Sequence, residues 1–185
     1  MEEGLKMIVS SYQGYSFAAA VVENILRDPL ELFEDYDLPE DCAVQFVDPR
    51  CIYTHRQLLV GFMSAVDAYL VNAQRARKIE VEFLLRLSGK RQISEAIEVV
   101  GHKQGERCVC VCAITRSGGR PDEAVSKIAE YLGGSLSDNL EAGRLEHVLS
   151  LYGVSQQELE CLAPSRGARP AELLILERIA MSGLL

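Results

Sequence analysis

The 185-residue sequence has no apolar run that could cross a bilayer. Its longest, Phe17–Val22 and Cys108–Ile114, fall far short of the about 20 residues a spanning helix needs. Its start, Met1-Glu2-Glu3, is acidic where a secretory leader would be cationic, which predicts a cytoplasmic protein, also nuclear in a eukaryote. Histidine is scarce. His55, His102 and His147 share no helix face with one another or with a cysteine at ligand spacing, so each reads as a surface or cap-adjacent residue. There is no G-x-S-x-G elbow and no protein-kinase signature. Ser88-Gly89-Lys90 is a fragment of a phosphate loop, but Leu84 stands where its first glycine belongs and Arg91 replaces the Ser or Thr. These absences predict no enzyme, no cofactor and no metal site, and no nucleotide turnover by the chain itself. Phe83 is the only aromatic residue between 75 and 107, so that stretch cannot build a base-stacking platform alone. Between Asp28 and Asp48 there are eight acidic residues and no Lys or Arg. With Pro29 and Pro39 inside it, the first part reads as an exposed loop or short helix with solvated carboxylates.

What is present is a full core composition, 48% hydrophobic, on a chain of net charge −8, which does not attract nucleic acid indiscriminately. Six cysteines include a C-x-C-x-C run, Cys108, Cys110 and Cys112. Inside Cys-Val-Cys-Val-Cys-Ala-Ile this spacing reads as a buried strand with three thiols on one face, about 6–7 Å between neighbours. That suits neither a disulfide nor a tetrahedral cage, and thiols in a reducing compartment serve as small core residues.

Leu5–Ser11 reads as a first strand, and Phe17–Leu26 as a helix with Phe17, Val21 and Ile25 four apart. Ala43–Val47 is a second strand, stopped by Asp48-Pro49. Thr54 and Gln57 form a capping box before Leu58, Phe62, Val66 and Leu70 at four-residue spacing. A shorter helix, Val81–Leu87, ends at Gly89. Another starts near Lys90, with Ile93, Ala96, Ile97 and Val100 as its buried stripe; Ile93→Asp is then expected to unfold the domain. Arg107–Thr115 is a buried strand, and Pro121 opens a helix closed by Gly133-Gly134. Asp138 with Glu141, and Ser155 with Glu158, read as caps of two further helices. The last helix runs from about Pro170 to Met181. The pattern predicts a single α+β domain over residues 1–185: a small mixed or antiparallel sheet packed against several helices, helical from about residue 120.

That last helix does not confine its apolar residues to one stripe. Leu173, Leu176 and Ala180 mark one face and Ile175 and Ile179 another. Half of its circumference is therefore expected to serve the core and half a partner, with Leu173, Leu176, Ile179, Ala180 and Leu184 as candidate contacts.

Charge is unevenly spread. Residues 75–107 hold eight basic and five acidic residues, and Lys90, Arg91 and Gln92 open a helix, where free N–H groups already favour an anion. Arg91 adds a planar fork suited to phosphate, and Gln92 can read a base edge. Glu82, Leu84, Leu85, Ser88-Gly89-Lys90-Arg91-Gln92-Ile93, Ala96-Ile97 and Gly101, between an amphipathic helix and a hydrophobic strand, resemble the signature segment of the tRNA-recruiting subunit of the KEOPS complex, known in eukaryotes as the PRPK-binding protein family. The resemblance implies a mixed α/β fold without enzymatic activity. It implies two partners: the N-terminal lobe of the complex's atypical kinase, an ATPase, and the single-stranded CCA end of tRNA. The complex then installs threonylcarbamoyl on the adenosine beside the anticodon. By the same resemblance the RNA-facing residues are Arg86, Gly89, Lys90, Arg91, Gln92 and Ile93. Two other readings stay open: a protein adaptor that regulates a kinase without touching RNA, and a thiol or metal protein using the three strand cysteines.

Overall fold

A computed structural model describes residues 6–39, 41–116, 118–162 and 169–183. Its first hairpin overturns one expectation. Residues 17–23 are not helical: β1 (Ile8–Tyr12) turns through Gln13-Gly14 into β2 (Tyr15–Glu23). Gln13 and Gly14 both have positive φ, 49° and 80°, the two-residue turn whose twist matches paired strands. The run Phe-Ala-Ala-Ala-Val-Val is continuous because β2 is central and buried on both faces, a pattern that periodicity cannot distinguish from a helix.

The remaining strands are β3 (Cys42–Val47), β4 (Cys108–Arg116) and β5 (Ser135–Leu136). All pairings among these strands are antiparallel, in the order β1-β2-β4-β3, and β5 pairs with the far end of β2. Between the strands lie a short α1 (Leu32–Asp35), then α2 (His55–Leu70), α3 (Ile79–Ser88), α4 (Ile93–Val100) and α5 (Pro121–Leu132). The chain closes with α6 (Leu145–Leu151), α7 (Gln156–Cys161) and α8 (Pro170–Met181). This is an α+β fold with an open antiparallel sheet, and among the described residues no helix is long and apolar enough to cross a membrane.

Strand alternation divides the core in two. Phe17, Ala19, Val21, Cys110, Cys112 and Ile114 face α2 and α3, where Phe17 stacks on Phe62 at 5.0 Å and meets Phe83 at 5.7 Å. Ala18, Ala20, Val22, Val109, Val111 and Ala113 face α5 and Leu32 of α1. The cysteine run is the buried strand expected, but its side chains lean together: the Cys110 and Cys112 sulfurs are 3.8 Å apart, closer than the strand repeat. Burial pushes the Cys112 thiol well up, which suits inert core packing. Among the described residues no cluster of metal-ligating side chains forms.

Two helix starts also differ from the sequence pattern. Glu141 does not cap a helix of its own: α6 begins only at Leu145, and the Glu141 carboxylate accepts the backbone N–H of His55 across the fold. α4 begins at Ile93, so Lys90–Gln92 is the linker before it. Only Ala96 and Val100 of α4 are fully buried, while Ile93 and Ile97 are 47% and 50% exposed. An eight-residue helix at the rim of the core buries a narrow stripe, and Ile93 lies outside it.

α3 is fixed by a buried ion pair. Glu82 Oε1 accepts from Arg86 Nε at 2.7 Å, and Oε2 accepts the backbone N–H groups of Arg75 and Ala76 at 2.8 Å each. Arg86, expected on the RNA-facing surface, is only 6% exposed. Its guanidinium fills the space that a Cβ on Gly183, just past α8, would need. Arg86→Ala leaves the Glu82 charge buried without its cation, and should lower unfolding free energy by about 3–5 kcal/mol in urea titrations. Glu82→Gln combined with Arg86→Met should recover part of that loss. A cost below about 1 kcal/mol would mean that water already screens the pair.

Candidate functional site

The loop joining α3 to α4 carries most of the residues singled out in the sequence. Gly89 ends α3 in the left-handed conformation, φ 67°, which a side chain would strain. Ser88 Oγ donates to the Leu85 carbonyl and accepts from Lys90 N–H. From below, Tyr152 donates its hydroxyl to the Leu87 carbonyl at 2.7 Å, and Gln57 Nε2 donates to that same hydroxyl. Desolvation raises the Tyr152 pKa, so the hydroxyl stays a donor. The loop is thus held rigidly while its outer side faces solvent. Arg91, Gln92 and Ile93 are exposed and Lys90 is half-buried. Among the described residues neither Lys90 nor Arg91 is in an ion pair. Gln92 makes no side-chain cap, so the first N–H groups of α4 also point outward. Ile93 and Ile97, four apart, add an apolar strip beside the cations, and Glu95 and Glu98 flank it.

The other basic residues of this stretch sit elsewhere. Arg75, Arg77 and Lys78 precede α3, whose ten residues separate them from Lys90 by roughly 15 Å. There, Arg77 and Lys78 line a cleft of ≈ 390 Å³ with Tyr15, Tyr69 and Arg116. Arg116 Nε donates to the Tyr15 hydroxyl at 3.1 Å, and its guanidinium lies 5.5 Å from that ring's centre. Asp41 and Glu80 close the rim. The aromatic side chains missing from 75–107 are therefore supplied by β2 and α2. Tyr15 reaches Arg116 through strand pairing, invisible without the sheet, and Tyr69 is held beside Arg77 by its hydroxyl donating to the Ala76 carbonyl at 3.1 Å.

α8 divides as its sequence suggests. Ala171, Leu174 and Ile175 are buried, while Leu173, Ala180 and Met181 are exposed and Leu176 is half-buried. Ile179 is the exception among the expected contacts: it is completely buried, since it lies four residues after Ile175 on the inward stripe. Leu184 lies outside the described residues. The helix is fastened to the start of α2 by polar contacts. Thr54 Oγ1 donates to Glu172 Oε1 at 2.9 Å, Arg56 pairs with the same carboxylate at 3.6 Å, and Arg169 donates to the Tyr53 hydroxyl at 3.0 Å. Nearby, Glu141 accepts from His55 N–H and sits 2.8 Å from His55 Nδ1. Burial opposes the Glu141 charge, but the hydrogen bonds from His55 outweigh it and hold the pKa below the usual 4.5. A depressed acid stabilises the fold above its unfolded-state value, and that contribution fades as pH falls through the folded one. Glu141→Gln should therefore lower Tm at pH 7, and its difference from wild type should shrink as pH drops below 4.5. A Tm difference that stays constant from pH 7 to pH 3 would contradict this.

The remaining histidines form no site with these groups. His102 has neither ring nitrogen hydrogen-bonded among the described residues, and burial lowers its pKa. His147 lines a groove of ≈ 820 Å³ with Arg50, Lys103 and Arg144.

Comparison with known proteins identifies relatives of this chain. The KEOPS complex subunit Cgi121 of Pyrococcus abyssi is 32% identical over 65 residues, 35% of this chain and 36% of that protein. The regulatory protein Cgi121 of Methanocaldococcus jannaschii is 37% identical over 106 residues, 57% of this chain and 62% of that protein. The chain thus spans less than two thirds of either relative's length. A family model described as kinase binding protein CGI-121 matches residues 18–183, nearly the whole sequence, from within β2 to the end of α8. The chain belongs to the CGI-121 kinase binding protein family.

Proposed function

We propose that this chain is a non-catalytic KEOPS subunit that holds the complex's atypical kinase and recruits tRNA by its single-stranded CCA end, for threonylcarbamoyladenosine modification beside the anticodon. The observation that carries the RNA half is the α3–α4 loop. Among the described residues Lys90 and Arg91 are in no ion pair, and they stand beside the uncapped N-terminus of α4, next to the exposed Ile93 and Ile97. Cations and N–H groups hold phosphate, and an apolar strip gives an unstacked base a dry surface. The basic cleft at the opposite end of α3 extends the same edge. The kinase half is supported by the family's name, by the P. abyssi relative's name as a KEOPS subunit, and by the outward face of α8.

Arg91→Ala should weaken binding to intact tRNA by about 1–3 kcal/mol at fixed salt, with the melting temperature unchanged. Ile93→Asp should do the same while remaining folded. Wild type should bind tRNA lacking its terminal CCA as weakly as these variants bind intact tRNA. If removing CCA changes nothing, the loop does not read that end, and an adaptor without RNA contact becomes the better account. Glu95 and Glu98 on the same helix are the feature that favours that second reading.

For the kinase face, Leu173→Glu with Ala180→Glu should abolish co-purification with the kinase subunit, because two charges would be buried in the contact. Both positions are exposed, so circular dichroism melts should match wild type. Retained co-purification would move the interface off α8.

A further inference from the structure

On the sheet face opposite α2 and α3, the chain from Leu26 to Pro39 packs against β3 and α5. It is anchored there by Leu32, which is fully buried, by Phe33 edge-on to Phe46 at 5.7 Å, and by Tyr36 edge-on to Tyr131 at 5.4 Å. Arg27 lies over the Tyr131 ring at 4.7 Å. Anchoring does not bury the whole segment: Leu26, Leu30 and Phe33 are 75%, 55% and 54% exposed. Leu30 and Phe33, three apart on consecutive helical turns, leave two large apolar side chains in water side by side. Residues 28–41 carry seven acids and no Lys or Arg. Among the described residues Glu31, Glu34, Asp37 and Asp41 are in no ion pair.

Next to Tyr36 the segment and the start of α5 enclose a cleft of ≈ 320 Å³, with Asp37, Asp41 and Thr115 in its wall. Thr115 is 4% exposed and its Oγ1 has no hydrogen-bond partner among the described residues, an unmet requirement that buried hydroxyls rarely show. Lys127 and Arg120 also reach the rim, but Arg120 is committed to Asp122 and Glu123 at 3.2 Å each. Nucleic acid and anionic lipid are repelled by such a rim. The charge complement of an apolar patch ringed by unpaired carboxylates is a segment whose apolar side chains alternate with cations.

We propose that this face docks a basic, apolar protein segment: Leu- or Phe-type side chains on Leu30 and Phe33, and one Lys or Arg in the cleft against Asp37 and Asp41. Arg or Lys there would also donate to Thr115 Oγ1. The face is remote from the α3–α4 loop and the outward side of α8, so the proposal is independent of the RNA and kinase readings.

The test uses the full chain and two labelled 14-residue peptides, one of alternating Leu-Leu and Lys-Lys pairs and one with Ser in place of every Leu. Fluorescence anisotropy should show the Leu-Lys peptide binding at least tenfold more tightly than the Ser-Lys peptide. Leu30→Ser/Phe33→Ser, and separately Asp37→Asn/Asp41→Asn, should each weaken it at least tenfold, while Ile97→Ser on the other face leaves it unchanged. Thermal melts identify any variant that has not folded, and the charge pair then decides alone. The proposal is overturned by equal binding of the two peptides, by variants that bind like wild type, or by loss with Ile97→Ser. It is also overturned if sedimentation of the chain alone shows a dimer that Leu30→Ser/Phe33→Ser dissociates, since the occupant is then a second copy.

Discussion

The carboxylate of Glu82 is completely buried, and the helical side of the molecule is arranged to satisfy it. A lone charge there would cost several kcal/mol. The fold supplies one guanidinium from α3 and two adjacent backbone N–H groups from the α2–α3 loop. The N–H groups of Arg75 and Ala76 pull the α2–α3 loop back onto α3. Arg86, one turn along the helix, reaches past it to the end of α8 at Gly183. One ion pair therefore sets three things at once: where the α2–α3 loop turns, how α3 lies on the sheet, and how closely α8 approaches. The second polar centre, Gln57 with Tyr152, continues this logic at the other end of α3. Gln57 Oε1 accepts from the N–H groups of Tyr53 and Thr54, its amide reaches Cys51 and Tyr152, and Tyr152 holds the Leu87 carbonyl.

This arrangement explains why the exposed chemistry sits at the two ends of α3. A helix clamped at both ends by buried polar groups presents its flanking loops in fixed positions, and those loops carry several of the basic residues. Arg77 and Lys78 stand at one end, Lys90 and Arg91 at the other. The conformational freedom that a flexible basic loop would lose on binding is thereby already spent in folding. α8, tied to α2 through Glu172 and touching Arg86, shares the same frame, so a protein bound to its outward side would sit at a fixed distance from the α3–α4 loop.

How much of this the sequence revealed depended on whether a signal was local. Capping boxes at Thr54 and Ser155, glycine ends at Gly89 and Gly133, and Pro at the starts of α5 and α8 all fall where the residues indicate. These are interactions within four or five residues. What failed was set by distant partners. β2 resembles a helix until β1 and β4 are placed on either side of it. Glu141 looks like the cap of its own helix but caps α2, 86 residues earlier in sequence. Arg86 and Ile93 exchanged expected roles for a related reason: α3 is buried nearly all round while α4 touches the core along one narrow line. Sequence periodicity gives a stripe but not how much of it a neighbour covers. The likeness of Ser88–Ile93 to a family signature could not separate Arg86, which is buried, from Arg91, Gln92 and Ile93, which face outward.

The net charge of −8 and the basic loops belong to one electrostatic design. A uniformly acidic protein would repel RNA from every side, and a uniformly basic one would bind it anywhere along its length. Here the positive residues flank α3, and the densest acidic run lies behind the sheet, beyond two layers of core. An approaching polyanion would be repelled by that side, and Lys90 and Arg91 stand away from it. The potential around them is short-ranged, because at physiological salt it falls off over about 8 Å. Such a surface grips few phosphates, too few to hold a duplex by charge alone. A short single strand is different, since it can also place its bases against Ile93 and Ile97. Under the proposed function, selectivity for an unpaired end over duplex would come from weak charge combined with exposed apolar contact, without a strongly basic face.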